Sequence, residues 1–226
     1  MSKNTSDTIR TRGYVLRRTN YGEADRILNI ITPMGKISAI AKSARKEKSR
    51  LAGGIEMFSL IDVNLHKGKS DLWTVTGAKM LDHYGNLVKD FQSMELASLI
   101  LKKISAAAEG TDDAELFEVT HQSLCELNHG AREELVKSWF LINLKRVMGE
   151  EVNLYRDING EKLASEKQYE WNVGESGFEE KNGGHYSANE IKLLRIMGSS
   201  KLAVVRRVKA DDVVWERVFN FVKVVV

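Results

Sequence analysis

Met57-Phe-Ser-Leu-Ile-Asp-Val-Asn-Leu-His66, Lys67-Gly-Lys-Ser-Asp71 and Leu72-Trp-Thr-Val-Thr-Gly-Ala-Lys-Met-Leu81 follow one another and decide the fold class of this chain. In the first segment Met57, Ser59, Ile61, Val63 and Leu65 fall on one side, and Phe58, Leu60, Asp62 and Asn64 on the other. That two-residue period is the mark of a strand with one buried face, and the side carrying Ile61, Val63 and Leu65 is the core side. Lys67–Asp71 has the composition of a hairpin turn, and 72–81 reads as the returning strand. The pattern extends upstream. Thr8 to Arg18 sets Ile9, Tyr14, Val15 and Leu16 among Thr and Arg, and Arg26-Ile-Leu-Asn-Ile-Ile-Thr32 is a β-branched run closed by Thr32-Pro-Met-Gly35. Lys36-Ile-Ser-Ala-Ile-Ala41 places Ile37, Ala39 and Ala41 on one face. Five short strands joined by turns predict a small barrel or sandwich.

From about His83 the period becomes helical. Leu87, Val88, Phe91, Met94, Leu96, Leu99 and Ile100 recur at spacings of mostly three and four, in a segment stopped by Gly110. Leu116, Val119, Leu124 and Leu127 mark a second helix ended by Gly130, and Leu135, Val136, Trp139, Phe140, Leu144 and Val147 a third ended by Gly149. Ser187-Ala-Asn-Glu190 is a capping box opening a helix with Ile191, Leu194 and Ile196. Val213, Val214, Trp215, Val218, Phe219 and Val222 mark a last helix. Between the third helix and the capping box, about 151–186, lies a stretch rich in Gly, Asn, Glu and Lys without strong periodicity, which is long for a plain loop and reads as a small hairpin subdomain.

A length of 226 residues with 42% hydrophobic content suits one large domain or two small ones with packed cores. The net charge of +3 is unevenly spread: residues 1–90 hold 16 Lys/Arg against 9 Asp/Glu, and residues 91–226 hold 18 against 22. A polyanionic partner is therefore expected for the N-terminal part. Within it, Gly35 to Gly54 carries Lys36, Lys42, Arg45, Lys46, Lys48 and Arg50 against Glu47 alone. Such a cluster is either a phosphate-binding device that releases counterions from nucleic acid or a solvated loop that aids solubility. Cys125 is a lone cysteine in an apolar-periodic run, so no intrachain disulfide forms and a reducing compartment is expected. The N-terminus is polar, and no apolar run approaches the ~18 residues of a membrane span. A soluble, cytoplasmic, nucleoid-associated protein is expected.

Catalytic patterns are missing. There is no P-loop or dinucleotide-binding glycine motif, no GxSxG and no HExxH. His66, His83, His121, His129 and His185 are scattered, and the adjacent pairs Glu133/Glu134 and Glu150/Glu151 point in different directions on a helix. No enzyme activity, cofactor or metal is expected. Tyr14 and Trp73 lie in predicted strands of the basic part, where they either stack on bases or fill the core.

The strings Gly13-Tyr-Val-Leu-Arg-Arg, Tyr21-Gly-Glu-Ala-Asp-Arg-Ile-Leu, Thr32-Pro-Met-Gly-Lys-Ile-Ser-Ala-Ile-Ala-Lys-Ser-Ala-Arg-Lys, Ser49-Arg-Leu-Ala-Gly-Gly and Lys67-Gly-Lys-Ser-Asp-Leu-Trp-Thr-Val-Thr resemble, in order and spacing, the RecO family of recombination mediators. The match is specific over about residues 8–82 and looser after it. The resemblance implies an α+β protein: a five-stranded OB barrel over 1–82, then a mostly helical domain over 83–226 with the 151–186 insert. It also implies a non-enzymatic role in DNA repair. Such proteins bind single- and double-stranded DNA without sequence specificity, anneal complementary strands, and work with RecR to load RecA onto DNA coated by single-stranded-DNA-binding protein. The basic positions of the matching strings become the DNA-contact candidates: Arg17, Arg18, Arg26, Lys36, Lys42, Arg45, Lys46, Lys48 and Arg50. Arg26 follows Glu23 and Asp25 and alternatively sits in a local salt bridge.

By the same resemblance, the helical part receives the acidic, apolar-tipped C-terminal tail of single-stranded-DNA-binding protein, with Arg132, Lys137, Lys145 and Arg146 as rim candidates. Many family members carry four zinc-binding cysteines in the insert, as CxxCG and GFxCxxC. Aligned on Asn159-Gly160 and Gly177-Phe178, those cysteines fall at Arg156, Asn159, Glu180 and Gly183, none of which supplies a thiolate. Tyr155, Leu163, Tyr169, Trp171 and Phe178 are expected to form an apolar cluster in the metal's place. The alternative function is a general single-stranded nucleic-acid-binding OB protein with an appended protein-interaction domain.

Overall fold

Five strands close a barrel: β1 (Thr8–Tyr21), β2 (Asp25–Thr32), β3 (Gly35–Ala41), β4 (Ser59–Lys67) and β5 (Trp73–His83), in the order β1-β2-β3-β5-β4 with β4 returning to β1. The computed structural model describes residues 8–68, 71–109 and 113–225. The expected polar N-terminus, the tip of the Lys67–Asp71 turn, the stop at Gly110 and the final Val226 lie outside them. Val15, Leu28, Ile30, Ile37, Ala39, Ile61, Val63, Leu65 and Val75 fill the barrel. Each fully buried aliphatic side chain of this size contributes roughly 1.5–3 kcal/mol, which is why the alternating faces lock the register. Closure depends on one parallel pairing, Ala39↔Trp73 and Ile40↔Thr74, between β3 and β5. Parallel neighbours cannot be joined by a hairpin. The chain therefore leaves β3 through a long crossover, 42–58, and that crossover is the basic segment.

The barrel belongs to a compact unit, Met1–Asn128, that also holds two helices, α1 (Phe91–Ala107) and α2 (Ala114–Asn128). β5 runs on to His83, and α1 starts only at Phe91, where the Asp90 carboxylate caps the Ser93 amide at 2.7 Å. The apolar run 87–91 is thus not a helical stripe: Leu87 is buried in a turn, whereas Val88 and Phe91 face solvent.

The second unit, His129–Val226, contains α3 (Glu133–Val147), the insert, α4 (Ala188–Ser199), a single turn α5 (Leu202–Val205) and α6 (Asp212–Val225). The capping box forms as expected: the Ser187 amide donates to Glu190 Oε2 at 2.9 Å and the Ser187 hydroxyl accepts from Asn189. The insert is built on an antiparallel hairpin, β6 (Tyr169–Asn172) with β7 (Gly177–Glu180). Its centre is Phe178, fully buried, with Tyr169, Trp171, Tyr186 and Phe221 of α6 around it at ring-centroid distances of 5.2–6.3 Å. The expected cluster holds for Tyr169, Trp171 and Phe178. Tyr155 departs from it: its ring is 62% exposed and lies 4.6 Å from the Arg195 guanidinium, while Tyr186 and Phe221 complete the cluster from further along the chain. No helix among the described residues is long and apolar enough to cross a membrane.

Candidate nucleic-acid interface

The registers of β1, β2 and β3 lay out the barrel's outer face as rows of three. Tyr14, Ile31 and Lys36 form one row; Arg17, Asn29 and Ser38 the next; then Thr19, Ile27 and Ile40. Tyr21 and Asp25 are paired in the last row, and Lys42, one step beyond the Arg26↔Ala41 pair, completes it. A register irregularity between Val15 and Arg17, where Leu16 is the extra residue, keeps Tyr14 and Arg17 on the same face.

Helices α1 and α2 cover the first row. The Tyr14 hydroxyl is 2.6 Å from His121 Nδ1 and 2.7 Å from the Tyr84 hydroxyl, and its ring lies 5.8 Å from Phe117. Burial holds the Tyr14 phenol well above the usual tyrosine range and pushes Tyr84 up to about 12, while His121, also desolvated, is lowered. Both phenols stay protonated and the imidazole neutral at pH 7, so this is an uncharged hydrogen-bonded network. Tyr14 is therefore a core residue, the blander of its two readings. Lys36 shares its row and its fate: its ammonium pairs with Glu109 and donates to the Ser105 carbonyl at 3.4 Å, leaving the side chain 11% exposed.

The other three rows are uncovered. Arg17, Thr19, Tyr21 and Lys42 are exposed, and Ile27, Asn29, Ser38 and Ile40 are half-buried. The crossover borders this face and is anchored along its length. Ala44 and Ile55 are in the core cluster, Leu51 packs against it, and successive turns bond Lys46 to Ser43, Ser49 to Lys46 and Gly54 to Leu51. Gly54 lies so close to β5 that a Cβ there would meet the Ala78 carbonyl oxygen at 2.4 Å. From the crossover Lys42, Lys46, Lys48 and Arg50 project into solvent with no partner among the described residues.

Arg45 is used differently. Its Nη2 donates to the carbonyls of Gly22 and Glu23, both at 2.6 Å, and its amide donates to the Ala24 carbonyl at 2.8 Å. It clamps the crossover to the β1–β2 turn. Arg18 pairs with Glu56 at 2.8 Å. Arg26 lies half-buried at the barrel's mouth, and no ion pair joins it to Glu23 or Asp25 among the described residues; Asp25 accepts from the Ser43 amide instead, at 2.7 Å. The nine candidates thus divide into five exposed cations, two in the open rows (Arg17, Lys42) and three further along the crossover (Lys46, Lys48, Arg50), three engaged in the protein's own contacts (Arg18, Lys36, Arg45), and Arg26. Trp73 is half-buried against the core, with the Lys67 ammonium 5.4 Å from its ring. Tyr21 also lies exposed at the end of β1, in the motif Tyr21-Gly-Glu-Ala-Asp-Arg, where nothing local marks it as exposed.

In the second unit, Arg132 lies 5.3 Å over Phe219, Lys137 is exposed, and Lys145 pairs with Glu150 at 3.5 Å. The family zinc positions do not fit a metal. Arg156 donates to the Gly160 carbonyl, Glu180 pairs with Lys167, and Gly183 has no side chain. Among the described residues no group of three or more His, Cys, Asp or Glu is arranged to hold one. Cys125 is half-buried and burial pushes its thiol up, away from nucleophilic use.

The sequence model of the family described as Recombination protein O N terminal matches residues 5–84, and that of Recombination protein O C terminal matches residues 89–225. The chain is 30% identical to the DNA repair protein RecO of Dehalococcoides mccartyi over 219 residues, covering 90% of this chain and 83% of that one. It is 40% identical to the DNA repair protein RecO of Alkaliphilus metalliredigens over 118 residues, 51% of this chain and 48% of that one. To its counterpart in Syntrophomonas wolfei it is 25% identical over 211 residues, 90% and 84% of the two chains.

Proposed function

The chain belongs to the RecO family of DNA repair proteins, and from that premise we propose that it is a non-enzymatic recombination mediator that grips DNA on the open face of its barrel and anneals complementary strands. The observation that supports this reading is an uncovered β1–β2–β3 face that carries Arg17 and Lys42 in its rows and continues, past Lys42, into an anchored crossover on which Lys46, Lys48 and Arg50 are exposed. OB barrels bind oligonucleotides on the face of strands 2 and 3 with the loops joining strands 1–2 and 4–5, and the face proposed here includes β2, β3 and the end of β1 that enters the 1–2 turn. Cations without base-reading partners give affinity for any sequence, and they screen the repulsion between two backbones that annealing must overcome. The sites are Arg17, Lys42, Lys46, Lys48 and Arg50. RecR, the tail of single-stranded-DNA-binding protein and, indirectly, RecA are the proposed protein partners, with Lys137 of α3 and Arg132 just before it exposed to an acidic tail.

An annealing assay on complementary strands coated with single-stranded-DNA-binding protein tests the reading. A mediator accelerates duplex formation on coated strands, with RecR present or absent. A general single-stranded-DNA binder holds the strands apart and slows it, and that outcome would overturn the proposal.

A further inference from the structure

We infer that Tyr21 is a base-stacking platform that biases the open face toward single strands, and that Arg45 is the positioning residue that holds it; this rests on the reading of that face as the DNA site. The phenol ring is 55% exposed at the end of β1, in the row it shares with Asp25 and Lys42. It is a large aromatic side chain left more than half exposed on a strand that otherwise presents Arg, Thr and Asn there. Beside a phosphate-binding cation it gains a use. An unpaired base offers a π-face to stack on, whereas duplex bases are already stacked on one another.

The turn that follows Tyr21 is held by the crossover. Gly22, next in the chain, takes the left-handed conformation with φ of 53°. Both carbonyls that follow Tyr21 in the turn, those of Gly22 and Glu23, are held by the Arg45 guanidinium, and that of Ala24 by the Arg45 amide. A guanidinium exposed on a basic segment reads as a phosphate ligand. Here one of its terminal nitrogens, Nη2, is instead spent on two main-chain oxygens about twenty residues earlier in the sequence. Asp25, the acidic member of the row, has its carboxylate directed at the Ser43 amide, 2.7 Å away, so the negative charge is turned toward the crossover backbone. Lys42 is left as the row's outward charge. The corner thus sets a fixed aromatic face beside a cation, and tyrosine brings it with only two side-chain torsions to order, which lowers the entropic cost of binding.

The test uses the full chain with labelled oligothymidylate and a labelled random-sequence duplex. Tyr21→Ala is expected to weaken oligothymidylate binding about five- to a hundredfold, with duplex binding held within about twofold and the salt slope unchanged, because no phosphate contact is lost. Tyr21→Phe retains binding. Arg45→Ala lowers oligothymidylate affinity without flattening the salt slope, and adds little on top of Tyr21→Ala, as a positioning role requires. Tyr21→Ala binding like the parent protein, while the Lys42/Lys46/Lys48/Arg50→Ala variant loses affinity, would overturn this inference and leave the DNA face standing. Both variants binding like the parent would remove the face itself. Equal loss on single and double strands with a lowered melting temperature would make Tyr21 a folding residue and also overturn the inference.

Discussion

Replacing Lys42, Lys46, Lys48 and Arg50 together with alanine isolates the electrostatic part of DNA binding. These four side chains are exposed and make no ion pair among the described residues, so their removal leaves the crossover's anchors, Ala44, Leu51 and Ile55, in place. Each phosphate neutralised contributes about 0.7 to the slope of log affinity against log salt for a single strand and about 0.9 for duplex. Four contacts therefore account for a slope of about 2.8 and 3.6 respectively. Between about 50 and 200 mM salt, the parent protein should lose roughly fiftyfold more single-strand affinity than the variant. Lys36→Ala is the internal control. It removes a cation from the same sequence cluster, but one turned to Glu109 and Ser105 beneath α1. It should lower stability and leave the slope alone. Fluorescence anisotropy across a salt series reads both. A slope change of less than about one in the quadruple variant, or an equal flattening in Lys36→Ala, would refute the division between the covered and open rows.

The hub of the insert is Phe178. Phe178→Ala should cost about 3–5 kcal/mol in urea unfolding and red-shift Trp171 emission, while added EDTA leaves the midpoint of the parent unchanged; a chelator-sensitive midpoint would contradict a purely aromatic core. Tyr14→Phe strips a partner from both Tyr84 and His121 and should destabilise by about 1–3 kcal/mol, read in the same unfolding experiment. His121 gives the stability its pH dependence. Burial lowers its folded value, so below about 6.5 the unfolded chain takes up a proton that the native state refuses, and stability falls as pH drops through that window. The urea midpoint should decline from pH 7.5 to 5.5 and decline less in His121→Gln; a midpoint that rises would be the wrong sign. Gly54→Ala forces a methyl group against the Ala78 main chain, and a loss of about 1–3 kcal/mol is expected from the melting curve.

What could be read along the chain was set by short-range physics. The alternation in 57–66 placed Ile61, Val63 and Leu65 inward because one face of that strand is sealed and the other wet. The stop at Gly130 and the Ser187–Glu190 box were equally local. β1 was read short, to Arg18, because its last residues are exposed without alternation and the irregularity at Leu16 breaks the period. Lys36 and Arg45 looked like their neighbours in the basic cluster. Their partners stand 73 and 22 residues away, at Glu109 and Glu23, and no window around either lysine or arginine contains that information. Tyr155 and Phe221 exchanged places in the aromatic cluster for the same reason: α6 supplies a ring from outside the insert.

The row of Tyr14, Ile31 and Lys36 has a consequence for how this protein can be divided. The two family matches part between residues 84 and 89, yet the surface that α1 and α2 seal belongs to the barrel's own strands. A fragment cut at that seam would keep every strand and still uncover Tyr14, Ile31 and the Lys36 stem as a wet apolar wall. The compact unit that contains the barrel ends at Asn128. Grafting the barrel elsewhere, or recombining it with a relative's helices, is expected to require α1 and α2 along with it, and substitutions in His121 or Phe117 are to be counted among those that act on the barrel.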